Sequence, residues 1–301
     1  MIRIGVDFGG TKIEAAALDA RGAFQARVRK PNPGDYDSAL DTVRQLVAEA
    51  EAQAGARDAT IGIGMPGSLS PKTGRMRNAN SVWLNGKPFK DDLERVLGRA
   101  VRMENDANCF ALSEAIDGAG QGADVVFGAI LGTGCGGGVV VRGRTVEGVN
   151  KIGGEWGHTP LPWPSAEERA AHTCWCGRSD CLETWISGSA FGADHARVAG
   201  ENLTGEEVAA RAKSGEPAAL ATLHRYVDRL GRALAVICDI LDPDVIVFGG
   251  GMSNTQALYE LVPPVAARYA FSDVFVTRIV QAKYGDSSGV RGAAWLWPEG
   301  A

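Results

Sequence analysis

A cluster of metal-ligating residue types lies in the middle of the chain. Cys174, Cys176 and Cys181 follow the pattern C-x-C-x₄-C, and His158 precedes them. Three thiolates and one imidazole can complete a tetrahedral zinc site, and a site without an open position is structural. Two alternatives stay open: a disulfide with one spare thiol, and a site in which His172 replaces His158. The cluster predicts a structural zinc site at His158, Cys174, Cys176 and Cys181.

Two carboxylates stand at the ends of predicted strands. Asp106, preceded by Asn105, lies where a strand gives way to a helix. A carboxylate there can face a cleft and accept a proton from a substrate hydroxyl, as the base of a phosphoryl transfer does. Asp is also a preferred helix N-cap, so Asp106 is either a base or a cap. Asp7 ends the first strand and either holds the Mg²⁺ of a nucleotide or bonds its own turn.

Glycine-rich turns follow three predicted strands, at residues 9–12, 132–138 and 249–251. Glycine makes up 40 of 301 residues, against a usual share of about 7%. Backbone N–H groups without side chains can close on phosphate oxygens. Neither a G-x-x-x-x-G-K-[ST] loop nor a dinucleotide-binding G-x-G-x-x-G is present. One such turn alone would only shape a hairpin, but three together predict nucleotide binding.

Short strands alternate with helices along the chain. Apolar runs at 2–6 and 13–18 flank the first glycine turn and predict a hairpin, and residues 125–141 repeat that pattern. From 38 to 54, apolar residues recur at helical spacing, with Ser38 as the N-cap and Gly55 as the stop. The alternation favours an α/β fold, and the repeat predicts a duplicated domain with a boundary near 118–122.

Composition excludes several classes of protein. The length suggests two domains, and 45% hydrophobic and 22% charged residues are typical of a globular chain. The net charge is −5 without a dense basic run, so we expect no nucleic-acid partner. No apolar stretch approaches the ~18 residues that cross a bilayer, and no signal-peptide core is present. We therefore expect no membrane partner and a cytoplasmic protein.

The remaining cysteines and the tryptophans are interpreted as core residues. They are Cys109, Cys135 and Cys238 with Trp83, Trp156, Trp163, Trp175 and Trp185. Sugar stacking is the alternative for these tryptophans.

Seven short motifs are spread along the chain. They are D-F-G-G-T-K from Asp7, M-P-G from Met65, N-D-A-N from Asn105, G-T-G-C-G-G-G from Gly132, E-W-G-H from Glu155, C-W-C-G-R-S-D-C-L-E from Cys174 and G-G-G from Gly249. Together they resemble the ROK sugar kinases of the actin-like ATPase superfamily. Within that family, the stretches at 78–86, 161–163 and 285–297 are most similar to bacterial fructokinases, also called mannofructokinases.

The resemblance implies a role for each matching position. Asp106 matches the catalytic base that takes the proton of the sugar hydroxyl. The positions that bind the sugar are matched by Gly67, Asn80, Asn105, Asp106, Glu155, His158 and Glu183. The nucleotide positions are matched by Asp7, which lies near the magnesium, and by Gly9, Gly10, Thr11, Lys12, Gly132, Thr133, Gly134, Gly249, Gly250 and Gly251. His158 would contact zinc with one ring nitrogen and sugar with the other.

The activity implied is that of an ATP-dependent hexose kinase that uses Mg-ATP and phosphorylates D-fructose at the 6-hydroxyl. Kinases of glucose, mannose or N-acetylglucosamine are the alternative, and a non-catalytic sugar sensor is a distant one. The partners implied are the hexose and ATP, and a homodimer stays open. Repressors of the same family carry an N-terminal helix-turn-helix, for which a first strand at Ile2 leaves no room.

The fold implied is α/β, with two actin-like (ribonuclease H-like) domains, each around a five-stranded sheet, and an interdomain cleft. The first domain would comprise 1–118, joined by a C-terminal helix at 287–301. The second would comprise 119–286 and contain the zinc loop.

Overall fold

The structure is a computed structural model that describes residues 1–169 and 172–298. The chain divides into two compact units. Unit 1 contains Met1–Gln121, Gly138–Gly153 and Asp286–Ala301, and unit 2 contains Gly122–Gly137 and Gly154–Gly285. The domain limits expected from the sequence remain a prediction, and these units depart from them most at Gly138–Gly153.

Helices and strands alternate through the described residues. The strands are β1 (Arg3–Phe8), β2 (Lys12–Leu18), β3 (Phe24–Pro31), β4 (Thr60–Met65), β5 (Ser68–Leu69), β6 (Met76–Arg77), β7 (Val101–Asn105), β8 (Val125–Leu131), β9 (Cys135–Val141), β10 (Arg144–Thr145), β11 (Val245–Gly249) and β12 (Arg278–Gln281). The α-helices are α1 (Tyr36–Gln53), α2 (Phe89–Leu97), α3 (Asp106–Ile116), α4 (Glu183–Ile186), α5 (Gly188–Ala199), α6 (Gly205–Lys213), α7 (Pro217–Leu241), α8 (Ala257–Tyr269) and α9 (Ser288–Ala294). None of these helices is both long and apolar enough to span a membrane.

Unit 1 is built on a five-stranded sheet of order β3-β2-β1-β4-β7. β1 and β2 form the predicted hairpin, and β1, β4 and β7 run parallel. The parallel strands bring the ends of β1 and β7 to one edge of the sheet, so Asp7 and Asn105 both lie at that edge. The sheet therefore brings the two carboxylates singled out in the sequence to the same edge, Asp7 near the end of β1 and Asp106 at the start of α3.

The first helix, α1, packs its apolar stripe on one face of this sheet. It begins earlier than expected, because Asp35 is its N-cap and accepts a hydrogen bond from the backbone N–H of Ser38. The prediction of Ser38 as the cap is thus wrong: Ser38 lies in the first turn, and the carboxylate before the helix satisfies its free N–H.

The last helix, α9, packs on the opposite face. Ala16 and Leu18 of β2 contact Val290 and Ala294 there, whereas Ala15 and Ala17 belong to the core on the α1 side, as strand alternation requires. The predicted helix at 287–301 is shorter in the structure and ends at Ala294. Residues 295–298 form a turn into a proline, which disfavours further helix, and 299–301 lie outside the described residues.

Close packing of α9 makes a glycine of the sheet essential. A Cβ added at Gly62 of β4 would lie 1.8 Å from the carbonyl oxygen of Ala293. We expect Gly62→Ala to lower the free energy of unfolding of unit 1 by about 1–3 kcal/mol, since backbone cannot yield as a side chain would. Denaturant unfolding measures this. Gly10→Ala is the matched control, because a Cβ there would meet only Oγ of Ser81 at 3.6 Å, an ordinary van der Waals contact. A loss at Gly10 equal to that at Gly62 would contradict the packing argument.

The second sheet has the order β10-β9-β8-β11-β12, with β8, β11 and β12 parallel. Glycines 136–138, expected in a turn, belong to β9 instead. Their role is close approach: a Cβ at Gly137 would lie 2.6 Å from the Trp156 ring, and one at Gly138 would lie 2.4 Å from the carbonyl oxygen of Ala107. The turn itself is confined to 132–134.

Core packing is confirmed for only some of the cysteines and tryptophans. Cys109 and Cys135 are buried, and so are Trp156 and Trp185. The prediction is wrong for the two tryptophans of unit 2 that are largely exposed, Trp163 and Trp175.

Candidate active site

The junction of β7 and α3 fixes Asp106 at the start of a helix. Asn105 is the N-cap, because its extended backbone precedes the helix and its side-chain oxygen accepts the N–H of Ala107 at 2.9 Å. Asp106 occupies the first turn, is exposed, and also accepts the N–H of Ala107, at 2.8 Å. The capping role that the sequence allowed for Asp106 therefore belongs to Asn105, and the Asp106 carboxylate lies at a surface where it can meet a substrate.

Gly67 joins two of the predicted sugar-binding segments. Its carbonyl oxygen accepts a hydrogen bond from the Asn105 side chain at 3.1 Å. Its φ is +72°, and a Cβ there would lie 2.7 Å from the backbone nitrogen of Ala79, directly before the exposed Asn80. The structure thus places Gly67 against both Asn105 and the segment that leads to Asn80, and glycine is required for that approach. The sugar-binding role of these residues remains a prediction.

A buried carboxylate, Glu104, lies beneath this junction. It accepts the backbone N–H of Asn105 at 2.8 Å and the side-chain N–H of Asn108 at 3.1 Å. Burial raises the pKa of Glu104, and the hydrogen bonds from Asn105 and Asn108 oppose that rise. Sequence reasoning missed Glu104, because nothing in its neighbourhood distinguishes an inward-facing glutamate from a solvated one.

Asp7, the second-last residue of β1, lies near other carboxylates. Burial, followed by the negative charges of Asp106 and Glu14, raises the pKa of Asp7 from 3.8 to about 6. A Cβ added at Gly289 of α9 would lie 3.5 Å from the carboxylate of Asp7, at van der Waals distance. Burial and like charges make the ionised form of Asp7 unfavourable, and a cation bound beside it would stabilise that form.

The first glycine turn is held from outside the hairpin. Asn32, after β3, donates its side-chain N–H to the carbonyl oxygen of Gly9 at 2.7 Å and its backbone N–H to that of Thr11 at 2.9 Å. These bonds engage carbonyl groups and leave the N–H groups of the turn available to phosphate oxygens. Asn32 was missed in the sequence, since it lies more than twenty residues from the turn it holds.

Asp7 should therefore limit stability at neutral pH. The native pKa lies above the unfolded value, so the protein loses stability as pH rises from about 4 to about 6. We expect Asp7→Asn to raise the free energy of unfolding by about 3 kcal/mol at pH 8 and to leave it nearly unchanged at pH 4. Urea unfolding at both pH values tests this, with the exposed Asp91→Asn as control. An equal effect of Asp7→Asn at both pH values would count against the raised pKa.

In unit 2 the other two glycine loops lie side by side. Gly250 has φ +76°, and a Cβ there would lie 2.7 Å from the backbone nitrogen of Gly132. The carbonyl oxygen of Gly132 in turn accepts the N–H of Gly188, at the start of α5, at 2.7 Å. The loops at 132–134 and 249–251 and the first turn of α5 thus form one backbone-lined surface.

A cavity of about 890 Å³ opens beside these loops. Residues from both loops and from the segments 188–193, 203–213, 220–224 and 252–261 line it. Its size suits a nucleotide, and helix N-termini with exposed backbone N–H groups suit phosphates. The lining residues from α5, α6 and α7 were not found in the sequence, because no motif marks them.

Glu155 precedes a short 3-10 turn, Trp156–His158, of which His158 is the last residue. This turn packs against the start of β9: the indole of Trp156 donates to the carbonyl oxygen of Gly136 at 2.8 Å, and a Cβ at Gly157 would lie 2.0 Å from that of Cys135. The E-W-G-H motif therefore fixes an exposed carboxylate, Glu155, beside a partly buried imidazole.

Glu183, the first residue of α4, has both carboxylate oxygens engaged. Oε2 accepts the backbone N–H of Cys135 at 3.0 Å, and Oε1 accepts the indole N–H of Trp175 at 2.7 Å. A Cβ at Gly134 would lie 2.7 Å from Oε2, so any other residue there would displace the Glu183 carboxylate. Glu183 thus links the glycine loop to the cysteine cluster.

The predicted metal ligands converge. The ligand atoms of His158, Cys174, Cys176 and Cys181 all lie within 4.8 Å of one another. Nδ1 of His158 is 3.6 Å from Sγ of Cys174, and Sγ of Cys176 is 3.6 Å from Sγ of Cys181. Zinc bonds of about 2.3 Å to sulfur and 2.0–2.1 Å to nitrogen give tetrahedral edges of about 3.6–3.8 Å, so the donor set fits zinc.

The structure contains neither a disulfide in the cluster nor a cluster in which His172 replaces His158. All six cysteines are free thiols. His172 is not part of the cluster, and its Nε2 lies 3.0 Å from a guanidinium nitrogen of Arg197. Among the described residues this is the one such group of three or more ligands.

Comparison with known proteins defines the class. The profile of the ROK family matches residues 3–300. An N-acetyl-D-glucosamine kinase of Photobacterium profundum is 41% identical over 297 residues, which cover 97% of this chain and 98% of that protein. An N-acetyl-D-glucosamine kinase of Escherichia coli is 39% identical over 297 residues, with the same coverage of both chains. The crystal structure of a ROK hexokinase from Thermus thermophilus matches with a TM-score of 0.87 at 31% identity, over 98% of this chain and 97% of that one.

A ROK family glucokinase from Streptomyces griseus, solved in complex with glucose and AMPPNP, matches with a TM-score of 0.78 at 28% identity, over 98% of both chains. The chain therefore belongs to the ROK family and has the α/β, actin-like fold of its sugar kinases. Fructose as the substrate finds no support among these relatives, several of which are N-acetyl-D-glucosamine kinases. The narrower resemblance to fructokinases is therefore not supported by these relatives.

Proposed function

We propose that this chain phosphorylates N-acetyl-D-glucosamine at its 6-hydroxyl, with ATP as the phosphoryl donor. The observation that carries the proposal is the 39–41% identity, over 97% of the chain, to several kinases of that sugar. Fructose, glucose and mannose are the competing substrates.

Asp106 is the proposed general base. It takes the proton of the 6-hydroxyl while the hydroxyl oxygen bonds to the γ-phosphorus and the bond to the β,γ-bridging oxygen breaks, which releases ADP. Its exposed place in the first turn of α3, next to the firmly held Asn105, supports this role. Asn80, Asn105 and the backbone of Gly67 are the proposed sugar-binding groups of unit 1, and Glu155, His158 and Glu183 those of unit 2.

The glycine loops are the proposed phosphate-binding groups. In unit 1 these are Gly9, Gly10, Thr11 and Lys12; in unit 2 they are Gly132, Thr133, Gly134, Gly249, Gly250 and Gly251. The cavity beside the unit 2 loops supports adenosine binding there. Asp7, whose pKa is raised by burial and then by neighbouring carboxylates, would hold the magnesium that accompanies ATP and neutralises charge on its phosphates.

Zinc at the cysteine cluster has a structural role in this proposal. With Nδ1 of His158 facing Cys174, Nε2 is left to bind the sugar, so one side chain serves the metal and the substrate. The metal supplies rigidity and no reactive position, because four protein ligands close the site.

The test is ADP release from Mg-ATP with N-acetylglucosamine, glucose, mannose and fructose, with Asp106→Ala as the blank. We expect the highest kcat/KM with N-acetylglucosamine. First place for another hexose would overturn the proposed substrate and keep the kinase. Absence of turnover with all four sugars, together with calorimetric binding of one of them, would instead favour a non-catalytic sensor.

A further inference from the structure

Trp175 is an exposed aromatic residue in the middle of the metal-binding motif. It lies between the ligands Cys174 and Cys176, and 71% of its surface is exposed. A tryptophan offers an apolar ring and one N–H donor, so the partners of the ring and of the N–H indicate what the side chain does. Neither the zinc chemistry nor the proposed sugar contacts assign it one.

The indole nevertheless has a specific partner. Its N–H donates to Oε1 of Glu183 at 2.7 Å, while the N–H of Cys135 holds Oε2 at 3.0 Å. One bond to each oxygen fixes the plane of the carboxylate. A carboxylate has about four acceptor sites, so two remain for hydroxyl or amide N–H groups of a ligand.

The ring of Trp175 also contacts His158. The two ring centroids are 5.0 Å apart, and the planes meet at 82°, an edge-to-face arrangement. Nδ1 of His158 faces Cys174, so the indole adds a second constraint on the direction of Nε2. One exposed side chain therefore orients two of the proposed sugar ligands of unit 2.

We propose that Trp175 is a positioning residue for the sugar, which sets the orientation of Glu183 and His158 and so couples the metal cluster to sugar affinity. This inference rests on the proposed sugar-binding roles of Glu183 and His158. Trp175 acts on the sugar and not on the nucleotide, since it is not among the residues that line the cavity of about 890 Å³ beside the glycine loops. Its exposure means that its loss leaves the core unchanged.

Two substitutions separate its contacts. Trp175→Phe keeps an aromatic ring and removes the N–H donor, and Trp175→Ala removes both. We expect the KM for N-acetylglucosamine to rise about tenfold in Trp175→Phe, as for the loss of a hydrogen bond to a charged group, and roughly 30-fold or more in Trp175→Ala. The KM for ATP should change less than twofold, and the zinc content and thermal midpoint should match the wild type.

Trp163→Phe is the matched control. Trp163 is 52% exposed in the same unit, but its ring lies against Tyr269, with centroids 5.1 Å apart. We expect wild-type kinetics from it. A sugar KM within twofold of wild type in both Trp175 variants overturns the inference, and so does loss of zinc or an equal rise in both KM values, which would mark a purely structural residue.

The proposed substrate is tested separately. If wild-type protein does not turn over N-acetylglucosamine, that proposal fails, and the Trp175 variants are compared on the hexose with the highest kcat/KM. If no hexose is turned over, calorimetric binding of N-acetylglucosamine to wild type and Trp175→Phe makes the same comparison. Equal affinities then overturn the role of Trp175.

Discussion

Asp106→Ala is expected to lower kcat by about 10²- to 10⁴-fold, because the sugar hydroxyl then loses the group that takes its proton. Sugar affinity should stay within about tenfold of wild type, since Asn105 is held by its bonds to Ala107 and Gly67 without help from the Asp106 side chain. Steady-state kinetics with Mg-ATP and calorimetric titration with N-acetylglucosamine measure the two quantities.

A control separates chemistry from helix stability. Asp91 is exposed in the first turn of α2, as Asp106 is in that of α3. Both carboxylates stabilise a helix N-terminus by about 0.3–1 kcal/mol, so Asp91→Ala reproduces that loss without touching the junction. We expect full activity from it. If kcat of Asp106→Ala remained within fivefold of wild type, Asp106 could not be the base.

Local sequence patterns were enough to predict several of the main helices and strands. The β1–β2 hairpin, strand β4 and the helix after Asn105 all follow from apolar periodicity and from residues with strong turn or capping preferences. Errors arose where one residue type serves two purposes. Gly137 and Gly138 were predicted to lie in a turn, but they lie in β9. Glycine is needed there because an indole ring and a backbone carbonyl group pack closely against them.

The candidate site was predicted unevenly for a similar reason. Asp7, Asp106 and the cysteine cluster could be singled out as candidates because residue type and local spacing point to their proposed chemistry. Glu104 and Trp175 act through hydrogen bonds to groups whose orientation only the folded chain defines. The sugar is harder still to predict, because the positions that match the family pattern are expected to bind any of several hexoses, and selectivity depends on pocket shape.

Cys181→Ser is expected to abolish stoichiometric zinc and to weaken sugar binding. Cys181 is 1% exposed and its Sγ lies 3.6 Å from that of Cys176, so a hydroxyl cannot replace the thiolate without weakening the whole cluster. His158 loses its metal partner, and the segment that carries Trp175 loses the fold that holds Glu183. We expect a sugar KM at least about tenfold higher and a thermal midpoint lower by on the order of 10 °C.

Cys238→Ser is the matched control, since Cys238 is a free thiol of the same unit, in α7 and outside the cluster. It should retain one zinc per chain by elemental analysis and wild-type kinetics. A chelator should reproduce the Cys181→Ser phenotype in wild-type protein, and added zinc should reverse it, because binding of the ion is then part of the folding free energy of this segment. Wild-type protein that is purified without chelator and contains no zinc, yet binds the sugar normally, would show that these four ligands hold no structural metal and that hydrogen bonds alone keep Glu183 in place.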